Sequence, residues 1–193
     1  SGGVSGTPAA GGNITVNGPA VVSGADRVLS TGAGTGNVLF AGTLDGDGTP
    51  RGLTVTVGTG DATFSAVVGG NDPLGAVAVN SAGTTRFNAA VSAASVTTDE
   101  PGSTQLNGSV TTSGAQIYHD IVEVQSDITL TTSGGAVTFD KTVDSQASEA
   151  NALTVSSGSG NVSFTGVLGG ATNGALGAVS INSTGTTLFN AAV

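Results

Sequence analysis

The chain has 193 residues, with 13 acids against four bases and a formal net charge of −9. Four scattered bases (Arg27, Arg51, Arg86, Lys141) make no basic patch, which excludes neutralising a phosphate backbone and docking on an anionic membrane. Having no cysteine, the chain forms no disulfide and no thiolate metal site, and no run is apolar and long enough to span a bilayer as a helix.

Aromatic residues are few, six Phe and one Tyr, among 33 glycines. The apolar residues nevertheless alternate regularly, unlike those of a disordered Gly/Ser-rich chain. In chain order, each unit has a large apolar anchor followed four residues later by an aliphatic. The pairs are Val16/Ala20, Phe40/Leu44, Phe64/Val68, Phe87/Val91, Leu106/Val110, Tyr118/Val122, Phe139/Val143, Phe164/Leu168 and Phe189/Val193. Between anchors lie further alternating stretches: "LTVTV" from Leu53, "GAVAV" from Gly75, "ITLTT" from Ile128, "LTVSS" from Leu153 and "GAVSI" from Gly177. A period of two predicts strands, and no segment sustains a helical period.

Anchor spacings of 24, 24, 23, 19, 12, 21, 25 and 25 residues predict an all-β parallel β-solenoid with coils of about 20–25 residues. Each coil is too small to bury its own apolar face, so stacking must do it. The Phe anchors are expected to form one interior ladder. The residue two after most anchors is Gly or Ala, which predicts a tight corner. The 12-residue interval from Leu106 to Tyr118 is too short for a coil; either Leu106 lies on a third strand of a larger coil or a hairpin interrupts the stack.

A longer period overlies the short one. "GTTRFNAAV" from Gly83 returns as "GTTLFNAAV" from Gly185, and "GLTVTVGTGDATFSAVVGG" from Gly52 returns as "ALTVSSGSGNVSFTGVLGG" from Ala152. The offset drifts from 99 at Phe40/Phe139 to 102, so small insertions fall in loops. Residues 1–193 are therefore read as a single solenoid segment. Its ~100-residue super-repeat has copies at about 36–134 and 135–193, the second incomplete, as expected for a window on a longer array. A pair of immunoglobulin-like sandwiches would share the long period, but its strands would not resemble one another every 24 residues.

Candidate chemistry is sparse. "DGDGT" places Asp45 and Asp47 one residue apart, and the solenoid register puts Asp72 on the equivalent loop of the next coil, so the three are the candidate Ca²⁺ ligands. A solvated Asp/Gly turn is the expected reading of the motif, and no cofactor is expected. The same acids are the handle for a glycan-cleaving reading, which lacks the bases and aromatics that hold sugar. His119 stands alone and Tyr118 takes an anchor's place in the core. "GTGNV", "GTGDA" and "GSGNV" lack the spacing of a phosphate loop and read as turns. The Thr-rich strands are too irregular for an ice-binding array. Asp120 and Lys141, each two after an anchor, are expected to pair between coils.

The Gly-aliphatic-x-Phe units, the "LTVT" strands and the "GTTxFN" motif resemble the repeat regions of giant secreted bacterial surface proteins, the filamentous-haemagglutinin-like and autotransporter-type adhesins. The resemblance implies a right-handed parallel β-helix at the bacterial cell surface or in the extracellular space. It implies a non-enzymatic stalk or fibre whose partners are itself or neighbouring repeats, other cells or the extracellular matrix. A filament subunit stacking head to tail is the alternative.

Overall fold

The computed structural model describes residues 11–172 and 174–193. They form a parallel β-solenoid of about seven turns and roughly 24 residues per coil, with no helix among them. The chain passes three faces per turn. Coil 1 holds β1 (Ile14–Val16), β2 (Ala20–Val21) and β3 (Arg27–Gly32); coil 2 holds β4 (Val38–Phe40), β5 (Leu44–Asp45) and β6 (Leu53–Val57). Coil 3 has β7 (Ala62–Phe64), a bridge at Val68 and β8 (Leu74–Ser81), and coil 4 has β9 (Thr84–Phe87) and the eight-residue β10 (Val91–Thr98). Coil 5 has β11 (Ser103–Leu106), β12 (Val110–Thr112) and β13 (Gln116–Tyr118); coil 6 has β14 (Ile121–Val124), β15 (Ile128–Thr132) and β16 (Val137–Phe139). Coil 7 has β17 (Val143–Ser145), β18 (Leu153–Gly158) and β19 (Val162–Phe164), and beyond it lie a bridge at Leu168, β20 (Val179–Ser183) and β21 (Thr187–Phe189).

Alternation decides which side chains enter the core. In "LTVTV" Leu53, Val55 and Val57 are buried while Thr54 and Thr56 stand half-exposed on the outside. Parallel pairing repeats this choice coil by coil, so like stacks on like. Leu29, Val55 and Val79 form one interior column, and Val38, Ala62 and Thr85 another. The predicted tight corner is real: a Cβ at Gly42, Gly108 or Gly166 would lie 2.4, 2.2 or 2.3 Å from backbone of the preceding coil.

The single Phe ladder divides into two. Phe40, Phe64 and Phe87 stack on the first face with ring centroids 5.2 and 5.0 Å apart. Tyr118, Phe139, Phe164 and Phe189 stack on the third face at 5.2, 4.9 and 5.3 Å. Leu106 continues the first ladder over Phe87, whereas Tyr118 lies in the column below Val79 and Thr98. The 12-residue interval is thus part of a coil, with β12 between its ends, and no hairpin interrupts the stack.

The cause is β10. It runs without a break across two faces, pairing at its start with β12 on the second face and at its end with β13 on the third. Coils shorten there: Phe87 to Leu106 is 19 residues and Leu106 to Val124 is 18, against 24 from Phe40 to Phe64. The second copy of the super-repeat therefore arrives one face out of phase. "VLF" (Val38–Phe40) lies on the first face, and its counterpart "VTF" (Val137–Phe139) on the third.

Tyr118 introduces a hydroxyl into this core, and Gln116, two residues earlier, receives it. The Tyr118 hydroxyl donates to Gln116 Oε1 at 3.2 Å, and Gln116 Nε2 donates to the Val110 and Thr131 carbonyls at 3.1 and 2.9 Å. The equivalent position in the coils below is Val137 and Val162, below Phe-bearing strands that need no partner.

Phe64 is fully buried with a ring on either side, whereas Phe189 is 43% exposed and stacked on one side only. Chemical denaturation should show Phe64→Ala losing about 3–5 kcal/mol, the usual range for a buried Phe. Phe189→Ala should lose well under half as much. Equal losses would contradict the asymmetry of the ladder ends.

Candidate functional site

The acids have a common structural use. Where a strand stops at a corner, backbone N–H groups of an adjacent coil lose their ladder partners, and carboxylate or amide oxygens accept them instead. Asn13, Asn37 and Asp61 form such a rung series, each accepting the N–H of Asn37, Asp61 and Thr84 at 2.8 Å. These residues are the polar ends of "GTGNV" and "GTGDA", which are turns as the spacing indicates. Asp26 accepts from Gly52 N (2.8 Å), Asp127 from Ala152 N (2.7 Å), Asp99 from Ser81 N (2.7 Å) and Asp144 from Ala171 N (2.9 Å). Sequence reasoning missed this role. Its signal is an Asp or Asn immediately before or after a strand, recurring at coil spacing.

Asp45, Asp47 and Asp72 are not brought together. Asp45 is buried, and its two oxygens accept Asn71 N (2.9 Å) and Asn71 Nδ2 (3.2 Å). Asp47 reaches the opposite way, to Gly24 N (3.0 Å) in coil 1, and also takes Thr49 N and the Arg51 guanidinium at 3.3 Å. The Gly24 N–H chiefly holds its carboxyl below the usual range, with Thr49 and Arg51 assisting. Asp72 is exposed, and its neighbour Gly46 bonds only its backbone carbonyl (2.8 Å). Among the described residues no group of three His or acid side chains could hold a metal ion.

The densest charged cluster is elsewhere, at the corner between the third and first faces in coils 4–6. It holds Asp99, Glu100, His119, Asp120, Asp140 and Lys141. The expected Asp120–Lys141 pair does not form. Lys141 Nζ passes over the intervening coil to Glu100 Oε1 at 2.8 Å, and that hydrogen bond raises its pKa. His119 Nδ1 and Asp140 Oδ2 meet at 2.5 Å on the outside, so His119 is half-buried and partnered instead of freely solvated. Asp120 turns inward. It is 1% exposed and accepts from Thr104 Oγ1 at 2.9 Å, while its Oδ1 and the nearby Thr98 hydroxyl have no hydrogen-bond partner. Burial, reinforced by the charge of Asp99, pushes its pKa to about 6. Asp120 and Lys141 occupy matching positions on neighbouring coils, but Asp120 turns inward to Thr104 and Lys141 outward to Glu100.

Thr54 and Thr56 stand on the third face, but Thr129 and Thr131 of the other Thr-rich strand stand on the second, so no Thr row runs along the described rod. An open groove of about 260 Å³ lies beside β10 between Pro50, Pro73, Ser92, Ala94 and Thr111, and no charged or aromatic side chain borders it. Comparison with protein families, with curated proteins and with solved structures finds no match to this chain.

Asp120 carries a pH prediction. Its pKa is raised in the folded chain, so folding favours the protonated form. Its contribution is fully present below about pH 4 and is lost as pH rises through about 6. Asp120→Asn should therefore raise stability at pH 8, by up to about 3 kcal/mol, and make little difference at pH 4. A gain independent of pH would refute the assignment. For the DGDGT loop, millimolar calcium and EDTA should leave the melting temperature unchanged, because chain donors already occupy Asp45 and Asp47. A calcium-dependent rise removed by Asp47→Asn would reverse that.

Proposed function

We propose that this chain is a non-enzymatic structural segment of an extracellular or bacterial cell-surface repeat protein, a stalk or fibre element that supplies reach, stiffness and adhesive contact. The observation that carries this reading is the coil-to-coil ladder of parallel strands from β1 to β21, carried by single bridges at Val68 and Leu168 where a strand is lacking. A rod built this way extends by about 4.8 Å per coil and resists bending because every strand is hydrogen-bonded along the rod axis. The carboxylates support the same reading. Most are committed to backbone N–H groups, Asp45 and Asp47 of the DGDGT loop among them. Partners in this reading are neighbouring repeats, other cells or matrix.

The reading is tested with beads coated with the 193-residue protein. Saturable adhesion to bacterial cells or to immobilised matrix glycoproteins, with no release of reducing ends from polysaccharides, is the expected outcome. Reducing ends released by the protein, and lost in an acid-to-amide variant, would overturn it.

A further inference from the structure

A buried carboxylate is destabilising unless it meets an opposite charge, a proton or a metal ion. Asp120 is 1% exposed, and the cationic side chains of its corner point elsewhere. Lys141 is engaged by Glu100 and His119 by Asp140, both on the outside. Asp99, whose charge opposes that of Asp120, is itself an acceptor and holds Ser81 N at 2.7 Å.

Neutral oxygens around Asp120 are also unclaimed. Asp120 Oδ1, Thr98 Oγ1 and Thr85 Oγ1 are all buried without a hydrogen-bond partner. Thr98 lies beside the Asp120 carboxyl, and Thr85 stacks on Thr104, whose hydroxyl donates to Asp120 Oδ2 at 2.9 Å. The backbone adds a further acceptor. Asp99 N donates to the Val79 carbonyl and Ser103 N to the Gly83 carbonyl, but Pro101 between them has no N–H to give the Ser81 carbonyl. These oxygens converge on Gly102. A Cβ there would stand 2.4 Å from the Ser81 carbonyl oxygen, 2.9 Å from that of Gly83 and 3.0 Å from Asp120 Oδ1. Three oxygens, from the corners on either side of Gly102, thus lie within 3.0 Å of one point. The φ of Gly102 is outside the left-handed region, so it is this crowding of oxygens that calls for glycine.

We propose that this cradle binds a monovalent hard cation, Na⁺, held by Asp120 Oδ1, the Ser81 and Gly83 carbonyls and the Thr98 hydroxyl. All the donors are oxygens, which favours a hard ion over one that prefers nitrogen or sulfur. One carboxylate among neutral donors balances one positive charge. A calcium site draws on more carboxylates, and among the described residues no three acids or histidines meet. The ion supplies the counter-charge that the chain withholds from Asp120, and it fastens successive corners together where the coils are shortest. The site is separate from the DGDGT loop and does not depend on the stalk reading.

Thermal melting in sodium chloride and in choline chloride of equal concentration tests this. At pH 8 the native chain should melt higher in sodium, by an amount that grows with concentration as for any ligand of the folded state. At pH 4 a proton occupies Asp120, and the difference should vanish. Asp120→Asn should melt alike in the two salts, so the gain it brings at pH 8 should be larger in choline than in sodium. Thr98→Val removes one ligand at nearly the same volume and should need several-fold more sodium for the same rise. Equal melting of the native chain in both salts at pH 8 overturns the proposal. So does a sodium effect that Asp120→Asn retains or that persists at pH 4, and so does a rise produced by millimolar calcium and not by sodium.

Discussion

Strands between the end coils make their backbone hydrogen bonds along the rod axis, to the coil before and the coil after. That requirement sets the spacing of the coils, and the other features answer to it. Rings spaced by one coil stack at 4.9–5.3 Å because the backbone holds them there. Corner glycines are needed because adjacent corners come closer than a Cβ permits. Where the ladder is interrupted, side chains supply the missing acceptors. Carboxylates suit this task, being acceptors with two oxygens and no donor, and this accounts for an acidic chain with almost no bases. Hydroxyls do the same within turns: Thr31, Thr132 and Ser157 donate to the carbonyls of Gly36, Gly135 and Gly160 at 3.0, 2.6 and 2.8 Å.

The ladder constrains what lies above each residue and leaves the length of the path between faces free. A coil can lose a turn, as at β10, without breaking a single column. The price of that freedom is phase. After the shortened coils, each motif of the second super-repeat lies on a different face from its first copy. Arg86 of "GTTRF" projects from the first face, where it bonds Asp61 at 2.6 Å and Gln105 at 3.0 Å. Leu188 of "GTTLF" occurs on the third face, with no charge nearby. A rod whose repeats rotate in this way offers no continuous chemical stripe.

The interior is not uniform in chemistry. Coils 4–6 carry Asp120, Gln116 and Tyr118 among aliphatic and Phe columns, and this is also where the coils are shortest. Gln116 and Tyr118 satisfy each other, which makes them a matched pair. Asp120 is only half satisfied, and burial raises its pKa to about 6.

By itself the sequence determined the fold class, the coil length, the inward residues and the corner glycines, because each depends on local alternation or on a short period that survives in one dimension. The buried Phe40, Phe64, Phe87, Phe139 and Phe164 were legible in this way, as was the place of Tyr118 in the core. The sequence did not determine which face a motif occupies. That depends on the summed path through every preceding corner, and the straight run of β10 cannot be told from two strands with a turn by alternation alone. For the same reason it paired Asp120 with Lys141. Their positions are adjacent on neighbouring coils, as expected, but only the packed corner decides that one side chain turns in towards Thr104 and the other out to Glu100. The carboxylate roles belong to the tertiary structure too, since an Asp accepts the N–H of a residue some 18 to 27 positions away, and that neighbour exists only once the coils have stacked.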